Sequence, residues 1–430
     1  MSYNVPTMTT TAASEAITKA AAAKAAGRRL AYASTDQKNE ALHRIADALV
    51  AEQAHLLEVN AGDVQRGQER GLNESFVDRL ALSPERIAGI AADTRQVATL
   101  EDPIGHIEEM RTRPNGLQIG RMRVPLGVIG AVYESRPNVT VDIAALCLKS
   151  GNATVLRSGS DAHATSSAFA AIVTRSVERA GLPAGIVQFI DSTDREEVGA
   201  MLKAHEHIDL MIPRGGADLI RRVRDEATMP VVAGGIGVCH TYIDAEADLE
   251  MARRIVVNAK TRRPSICNAL DTVLVHAAVA EQLLPELSRE LGERNVILHT
   301  DERARPLCSG AHTLPVEPED YDREWLSLDC SVRVVDSLED ALKHIEDHGS
   351  GHSEAIVTNS YASSRRFLAE ADAAAVYVNA STQFTDGAQF GLGAEIGIST
   401  QKMHARGPMA LRELTSYKWI IFGEGQTRPL

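Results

Sequence analysis

From Thr11 to about Val97 apolar residues recur at three- and four-residue spacings, as in Leu42, Ile45, Ala46 and Leu49, within a stretch rich in Ala, Leu, Glu, Lys and Arg. That period and those residue types predict several helices. The texture changes at Arg123. Short apolar runs (Gly127–Tyr133, Thr154–Leu156, Ile186–Ile190, Ile208–Ile212 and Val238–Ile243) alternate with amphipathic stretches (Val139–Lys149, Asp161–Ala180, Glu196–Ala204 and Ala217–Glu226). Short, wholly apolar runs predict strands covered on both faces, and their alternation with helices predicts a doubly wound parallel α/β layout. A second α/β rhythm follows a boundary expected near Asn258 to Lys260. Its strands are expected near Thr272–Val275, Val296–Leu298, Val332–Val335, Ala355–Val357 and Val376–Val378, and its helices near Ala277–Leu291, Leu338–Glu346 and Ala362–Glu370. The Gly-rich stretch Phe384–Gly397 follows neither period and predicts a loop held by contacts elsewhere.

The chain has 430 residues, enough for two or three domains at ~150 residues each. Its 45 Lys+Arg against 58 Asp+Glu leave a net charge of −13, which repels phosphate backbones and anionic lipid. Neither nucleic acid nor membrane is therefore expected as a partner. The five cysteines are scattered and show no CxxC spacing, so neither a disulfide framework nor a cysteine-rich metal site is expected. No run approaches the ~18 apolar residues of a membrane span, and the first residues lack a signal-peptide pattern. The expected compartment is the cytoplasm.

Candidate chemistry centres on Cys267, in Thr261-Arg262-Arg263-Pro264-Ser265-Ile266-Cys267-Asn268. Positive neighbours favour the thiolate that a covalent nucleophile needs, although a buried small hydrophobe beside a surface basic pair has the same local sequence. Cys147, Cys239, Cys308 and Cys330 lack such a flank and read as core. Glycine turns at Pro213-Arg214-Gly215-Gly216 and Gly234-Gly235-Ile236-Gly237 offer backbone amides that can approach a phosphate, or simply turn the chain. Arg136, Pro137 and Asn138 lie between a strand and a helix, where capping or a polar group presented at the strand's carboxyl end are both open. His240 reads as a hydrogen-bonded core histidine. His348-Gly-Ser-Gly-His352-Ser353-Glu354 reads as a turn held by polar side chains, because its glycines break the helix that would aim two imidazoles at one metal.

The segments VPLGVIGAVYESRPNVTVDIAALCLKSGNATVLR, IPRGGADLI, GGIGVCHTYID, RRPSICNALDTVLVH, HIEDHGSGHSEAIVT and YVNASTQFTDGAQFGLGAEIGISTQKMHARGPMALRELTSYKW run in order from about Arg123 to Trp419. Together they resemble the aldehyde dehydrogenase superfamily and, within it, the gamma-glutamyl phosphate reductase family. The resemblance implies two doubly wound α/β domains plus a small oligomerisation element. These are a nucleotide-binding domain over 1–259, with part of 105–135 joining the oligomerisation element, a catalytic domain over 260–400, and a C-terminal oligomerisation segment over 401–430. It implies NADPH-dependent reduction of L-glutamyl 5-phosphate to the 5-semialdehyde and phosphate, in a homo-oligomer (dimer or tetramer) that works beside a glutamate kinase in proline synthesis.

The resemblance also makes Cys267 the nucleophile, forming a thioester, with the Cys267 N–H and the Asn138 side chain as oxyanion donors. Arg262, Arg263 and Arg136 would meet the substrate's anionic groups, and Asn379, Ser381 and Thr382 its amino-acid end. Arg157, Ser158, Ser160, Gly215 and Gly216 would form the cofactor face. Where hydrolytic relatives carry a glutamate before Leu-Gly-Gly, this chain has Val232-Ala233-Gly234-Gly235, with no base to activate water against the thioester. After Leu156-Arg157 it has Ser158-Gly159-Ser160-Asp161 in place of the Gly-Gly-Lys-Glu of many relatives. The lysine that pairs with a 2′-phosphate is missing and Asp161 suits a free ribose diol, so NADP(H) is expected with NAD(H) open. A relative acting on another acyl phosphate, or a binding protein of the same fold, are the competing readings.

Overall fold

The structure, a computed structural model, describes residues 14–72, 74–232, 234 and 236–428. Its described residues fall into two compact units, one running to Val232 and resuming at Leu411, the other spanning Ala233–Ala410.

The first unit opens with the expected helices, Glu15–Leu30, Thr35–Ala51, Gln53–Glu69, Glu74–Leu80 and Pro84–Thr99. Local chemistry sets their starts. Ser34 and Gln37 close a capping box on the second helix, and Ser83 followed by Pro84 begins the fifth. Four parallel strands form the sheet, in the order Val187–Phe189, Ala153–Ser158, Val128–Tyr133, Leu210–Arg214. Strands Val128–Tyr133 and Ala153–Ser158 are buried along their whole length, which is why they read as continuous apolar runs. A separate antiparallel sheet joins Ile107–Thr112 and Gln118–Pro125 to the C-terminal strand Thr415–Phe422.

The second unit is built on seven parallel strands. Their order is His312–Pro315, Ile297–Thr300, Asp329–Val335, Leu270–His276, Cys239–Ile243, Ser353–Val357, Ala375–Val378. Helices Leu249–Thr261 and Ala277–Gly292 pack on it through Ala252, Val256, Leu283 and Leu287. A short antiparallel pair, Ile398–Ser399 with Gly407–Pro408, completes the unit.

This division differs from the boundary expected near residue 259. Strand Cys239–Ile243 pairs with Leu270–His276 and Ser353–Val357, so it and the helix after it belong to the second sheet. The chain after Leu411 returns to the first unit because Thr415–Phe422 hydrogen-bonds along Gln118–Pro125. Strand and helix alternate with the same texture on both sides of the true junction, so periodicity alone does not mark it. Among the described residues no helix is long and apolar enough to cross a membrane.

Candidate active site

Cys267 lies in the turn between helix Leu249–Thr261 and strand Leu270–His276 and is partly exposed. The other four cysteines are buried. Burial pushes the thiols of Cys147, Cys308 and Cys330 up to about 12, and that of Cys239 well above its ordinary range. A thiol that titrates so high offers almost no thiolate near neutrality, and Cys267 is the one cysteine of the five that is partly exposed.

Two segments grip its turn. On one side the chain from Gly237 to Cys239 runs against the Cys267 backbone, so closely that a Cβ on Gly237 would lie 1.7 Å from the Cys267 carbonyl oxygen. Only glycine permits that approach. The Gly237 N–H donates to Glu324 Oε1 (2.9 Å), Val238 N–H to Ser350 Oγ (2.9 Å), and Cys239 N–H to Asp271 Oδ2 (3.2 Å). The Cys239 thiol donates to the Cys267 carbonyl (3.3 Å). Asp271 also accepts from Trp325 N–H (3.0 Å), and burial pushes its carboxyl up to about 7 against the pull of Lys260. Lys260 is itself fully buried and donates to the Leu270 carbonyl (3.0 Å).

On the other side stands the 3₁₀ turn Thr382–Phe384. The Thr382 hydroxyl donates to the Asn268 carbonyl (2.7 Å), and Asn268 Nδ2 returns to the carbonyls of Gln383 (3.3 Å) and Thr385 (3.1 Å). Asn379, Ser381 and Thr382, expected at the substrate's amino-acid end, are engaged in holding this loop. Asn379, at φ +58°, uses both ends of its amide on Thr358, and Ser381 Oγ accepts from Gln383 N–H (3.3 Å). Arg262 and Arg263 are exposed at the mouth of the turn.

Behind the turn, His240 is buried with Nδ1 3.0 Å from Glu354 Oε2, a core histidine as expected. His348 faces Asp322 Oδ1 (2.8 Å) and His352 faces Ser353 Oγ (2.8 Å), so the HGSGHSE residues have separate partners. No group of three or more metal-ligating side chains is found among the described residues.

In the first unit, Asn138 is the residue before helix Val139–Lys149, but its side chain does not cap the helix. Its Nδ2 donates instead to Asp142 Oδ2 (2.8 Å), one turn on, which fixes the amide's direction. Arg136 lies in the same strand-to-helix loop, half-buried. Burial pushes the Asp142 carboxyl up to about 7, with Asn138 and Arg214 opposing and Asp93 adding to the rise. Its folded pKa exceeds its ordinary 3.8, so the group favours the fold most at acid pH and loses that contribution as pH rises towards 7. Asp142→Asn keeps an oxygen for Asn138 and removes the titration. It is expected to flatten the fall in stability between pH 5 and 8 by about 1–3 kcal/mol, read by denaturant melts. Identical pH slopes in the two proteins would refute it.

At the carboxyl ends of the four-stranded sheet lies a cavity of about 300 Å³, lined in part by Glu134, Arg157, Gly159, Ser160, Asp161 and Arg195. Ligands of open α/β sheets bind at this edge. Arg157 is buried and donates to the carbonyls of Ser158, Thr193 and Asp194, while its Nε and the Ser158 Oγ are buried without a hydrogen-bond partner. Asp161 is held by the Ser135 hydroxyl. The Gly215–Gly216 turn meets this cavity through Glu134, whose Oε2 accepts from the Gly216 N–H (3.1 Å).

Residues 1–309 match the model of the aldehyde dehydrogenase family. The chain belongs to the aldehyde dehydrogenase family. Within this family it is 54% identical over 414 residues to the gamma-glutamyl phosphate reductase of Moorella thermoacetica, covering 96% of this chain and 99% of that one. It is 50% identical over 408 residues to that of Salmonella paratyphi C, covering 95% and 98%. The crystal structure of gamma-glutamyl phosphate reductase from Thermotoga maritima superposes with a TM-score of 0.94 at 44% identity, covering 96% of this chain and 100% of that one. An acetylating aldehyde dehydrogenase from Geobacillus thermoglucosidasius, 18% identical with a TM-score of 0.69, shares the fold. Members of the aldehyde dehydrogenase family are oxidoreductases of aldehyde groups that use nicotinamide cofactors and act on small molecules.

Gly237, Asp271, Glu324 and Gln383, which surround the Cys267 turn, are not singled out by the sequence for that place. Gly237 carries a signal, as the last glycine of Gly234-Gly235-Ile236-Gly237, a pattern that reads as a phosphate turn or simply as a tight turn. Gly235 of that motif, and Ala233 before it, lie outside the described residues.

Proposed function

We propose that this chain reduces L-glutamyl 5-phosphate to L-glutamate 5-semialdehyde and phosphate through a thioester on Cys267. The observation that carries the reading is Cys267 itself, the one partly exposed thiol of five, seated between two segments that fix its backbone. The near-full-length identity to gamma-glutamyl phosphate reductases supports the substrate.

In this mechanism the Cys267 thiolate attacks the acyl carbonyl. The Cys267 N–H and the Asn138 amide, held by Asp142, donate to the developing oxyanion. Arg262 and Arg263 receive the departing phosphate, and Arg136 meets an anionic group of the substrate. Arg157, Ser158, Ser160 and Asp161 would hold a nicotinamide dinucleotide, which would supply hydride for reduction of the acyl group. Without a carboxylate in Val232–Gly235 to activate water, the thioester survives long enough to be reduced.

NADPH is the proposed cofactor, with Arg157 and Ser160 facing its 2′-phosphate and Asp161 limiting the preference over NADH. Asp161→Asn is expected to shift the ratio of kcat/KM towards NADPH by about tenfold, since a carboxylate repels that phosphate. An unchanged ratio in initial-rate kinetics would remove Asp161 from cofactor choice.

A cytoplasmic homo-oligomer working beside a kinase that makes the acyl phosphate completes the proposal. Exposed Tyr417, Trp419 and Ile421 alternate on one face of strand Thr415–Phe422, an apolar surface suited to a second copy. The function is tested by NADP⁺ and NAD⁺ reduction with glutamate 5-semialdehyde, each with and without phosphate. Strict phosphate dependence is the expected result, and fast oxidation without phosphate would overturn the reading.

A further inference from the structure

Gln383 is buried and joins three parts of the nucleophile's surroundings. Its Oε1 accepts from Arg262 Nη1 (3.2 Å). Its Nε2 donates to the carbonyls of Ala259 (2.9 Å) and Arg263 (3.3 Å), and its own carbonyl accepts from Asn268 Nδ2 (3.3 Å). One side chain therefore ties the last turn of helix Leu249–Thr261, the backbone of the basic pair, and the Arg262 guanidinium to the segment that also grips the residue after Cys267. Arg262 is exposed, and a long free side chain there would spread over many rotamers. A hydrogen bond to one nitrogen of the planar fork orients its other donors as well, the geometry that bidentate recognition of phosphate needs.

We propose that Gln383 is a positioning residue for phosphate, acting through Arg262. The inference rests on the functional reading above. In reduction Arg262 takes the phosphate as the acyl C–O bond breaks and the C–S bond forms. In reverse it holds phosphate while a phosphate oxygen attacks the thioester carbonyl, the C–S bond breaks and Cys267 leaves as thiolate.

The test is the oxidation of glutamate 5-semialdehyde by the full chain with NADP⁺, varying phosphate. Gln383→Met is expected to raise KM for phosphate about tenfold while kcat at saturating phosphate and KM for the semialdehyde stay within about twofold. In an Arg262→Met background the same change is expected to alter KM for phosphate by less than about twofold, because the residue through which it acts is gone. Should Gln383→Met fail to fold, Gln383→Asn, whose shorter amide cannot reach Arg262, is carried through the same cycle, and its rise in KM for phosphate must likewise vanish in Arg262→Met. A loss of kcat with KM for phosphate unchanged, or an effect undiminished in Arg262→Met, would show that Gln383 only supports the fold and overturn the proposal. If Arg262→Met leaves KM for phosphate unchanged, the proposal falls and the thioester reading stands. A wild-type chain that oxidises the semialdehyde over many turnovers without phosphate overturns both.

Discussion

Cys267→Ala is expected to lower turnover by roughly 10⁴-fold or more while nucleotide affinity stays within about twofold of wild type. No other thiol can take over. Cys147, Cys308 and Cys330 are buried and pushed up to about 12, and Cys239 is buried and pushed up further from its ordinary range by the nearby carboxylates of Asp271 and Glu354. The nucleotide site is assigned to side chains of the first unit, and Cys267 belongs to the second. The split between lost turnover and retained binding, read by initial rates and by titration of NADPH fluorescence, therefore separates a chemical role from a folding defect. Retained turnover would remove Cys267 from the mechanism.

The second large effect is expected from Gly237→Ala. The added methyl would meet the Cys267 carbonyl oxygen at 1.7 Å, so either the 236–239 segment or the nucleophile's turn must move. Such overpacking costs about 1–3 kcal/mol of stability. Misplacing a reacting group by about 1 Å is expected to cost on the order of 10²-fold in kcat. The change introduces no charge and removes no group that touches substrate, so KM for the nucleotide should hold. A variant with wild-type kcat and a lowered melting temperature would show that the turn tolerates displacement and that its tight seating is structural only.

How much of this was legible in the sequence depends on whether the signal was local. Strands such as Val128–Tyr133 and Leu270–His276 are buried on both faces, so they appear as apolar runs, and the helices between them carry a plain 3.6-residue period. From its own neighbours, two arginines and a proline, Cys267 read equally as a nucleophile and as a small buried hydrophobe, and its partial exposure shows only in the fold. The junction between the units was not legible, since the chain passes from one parallel sheet to the next without a change of pattern.

Contacts between distant residues were equally hidden. Glu134 occupies the Gly216 amide 82 positions away, and Thr382 and Gln383 reach Asn268 across more than a hundred residues. Short polar side chains in a Gly-rich stretch read alike whether they hold a loop or a ligand. The hydrogen bonds by which Asn379, Ser381 and Thr382 hold the loop are long-range or local contacts that only the fold shows.

The central claim is a covalent acyl group on Cys267, and peptide mass spectrometry tests it most directly. The chain is incubated with glutamate 5-semialdehyde and NADP⁺ without phosphate, then quenched in acid so that the substrate's amine stays protonated and cannot displace the thioester. The predicted result is one glutamyl group on the peptide containing Cys267, lost when phosphate is added before the quench. NADP⁺ reduction with no adduct, an adduct on another residue, or an adduct that phosphate does not release would contradict the account.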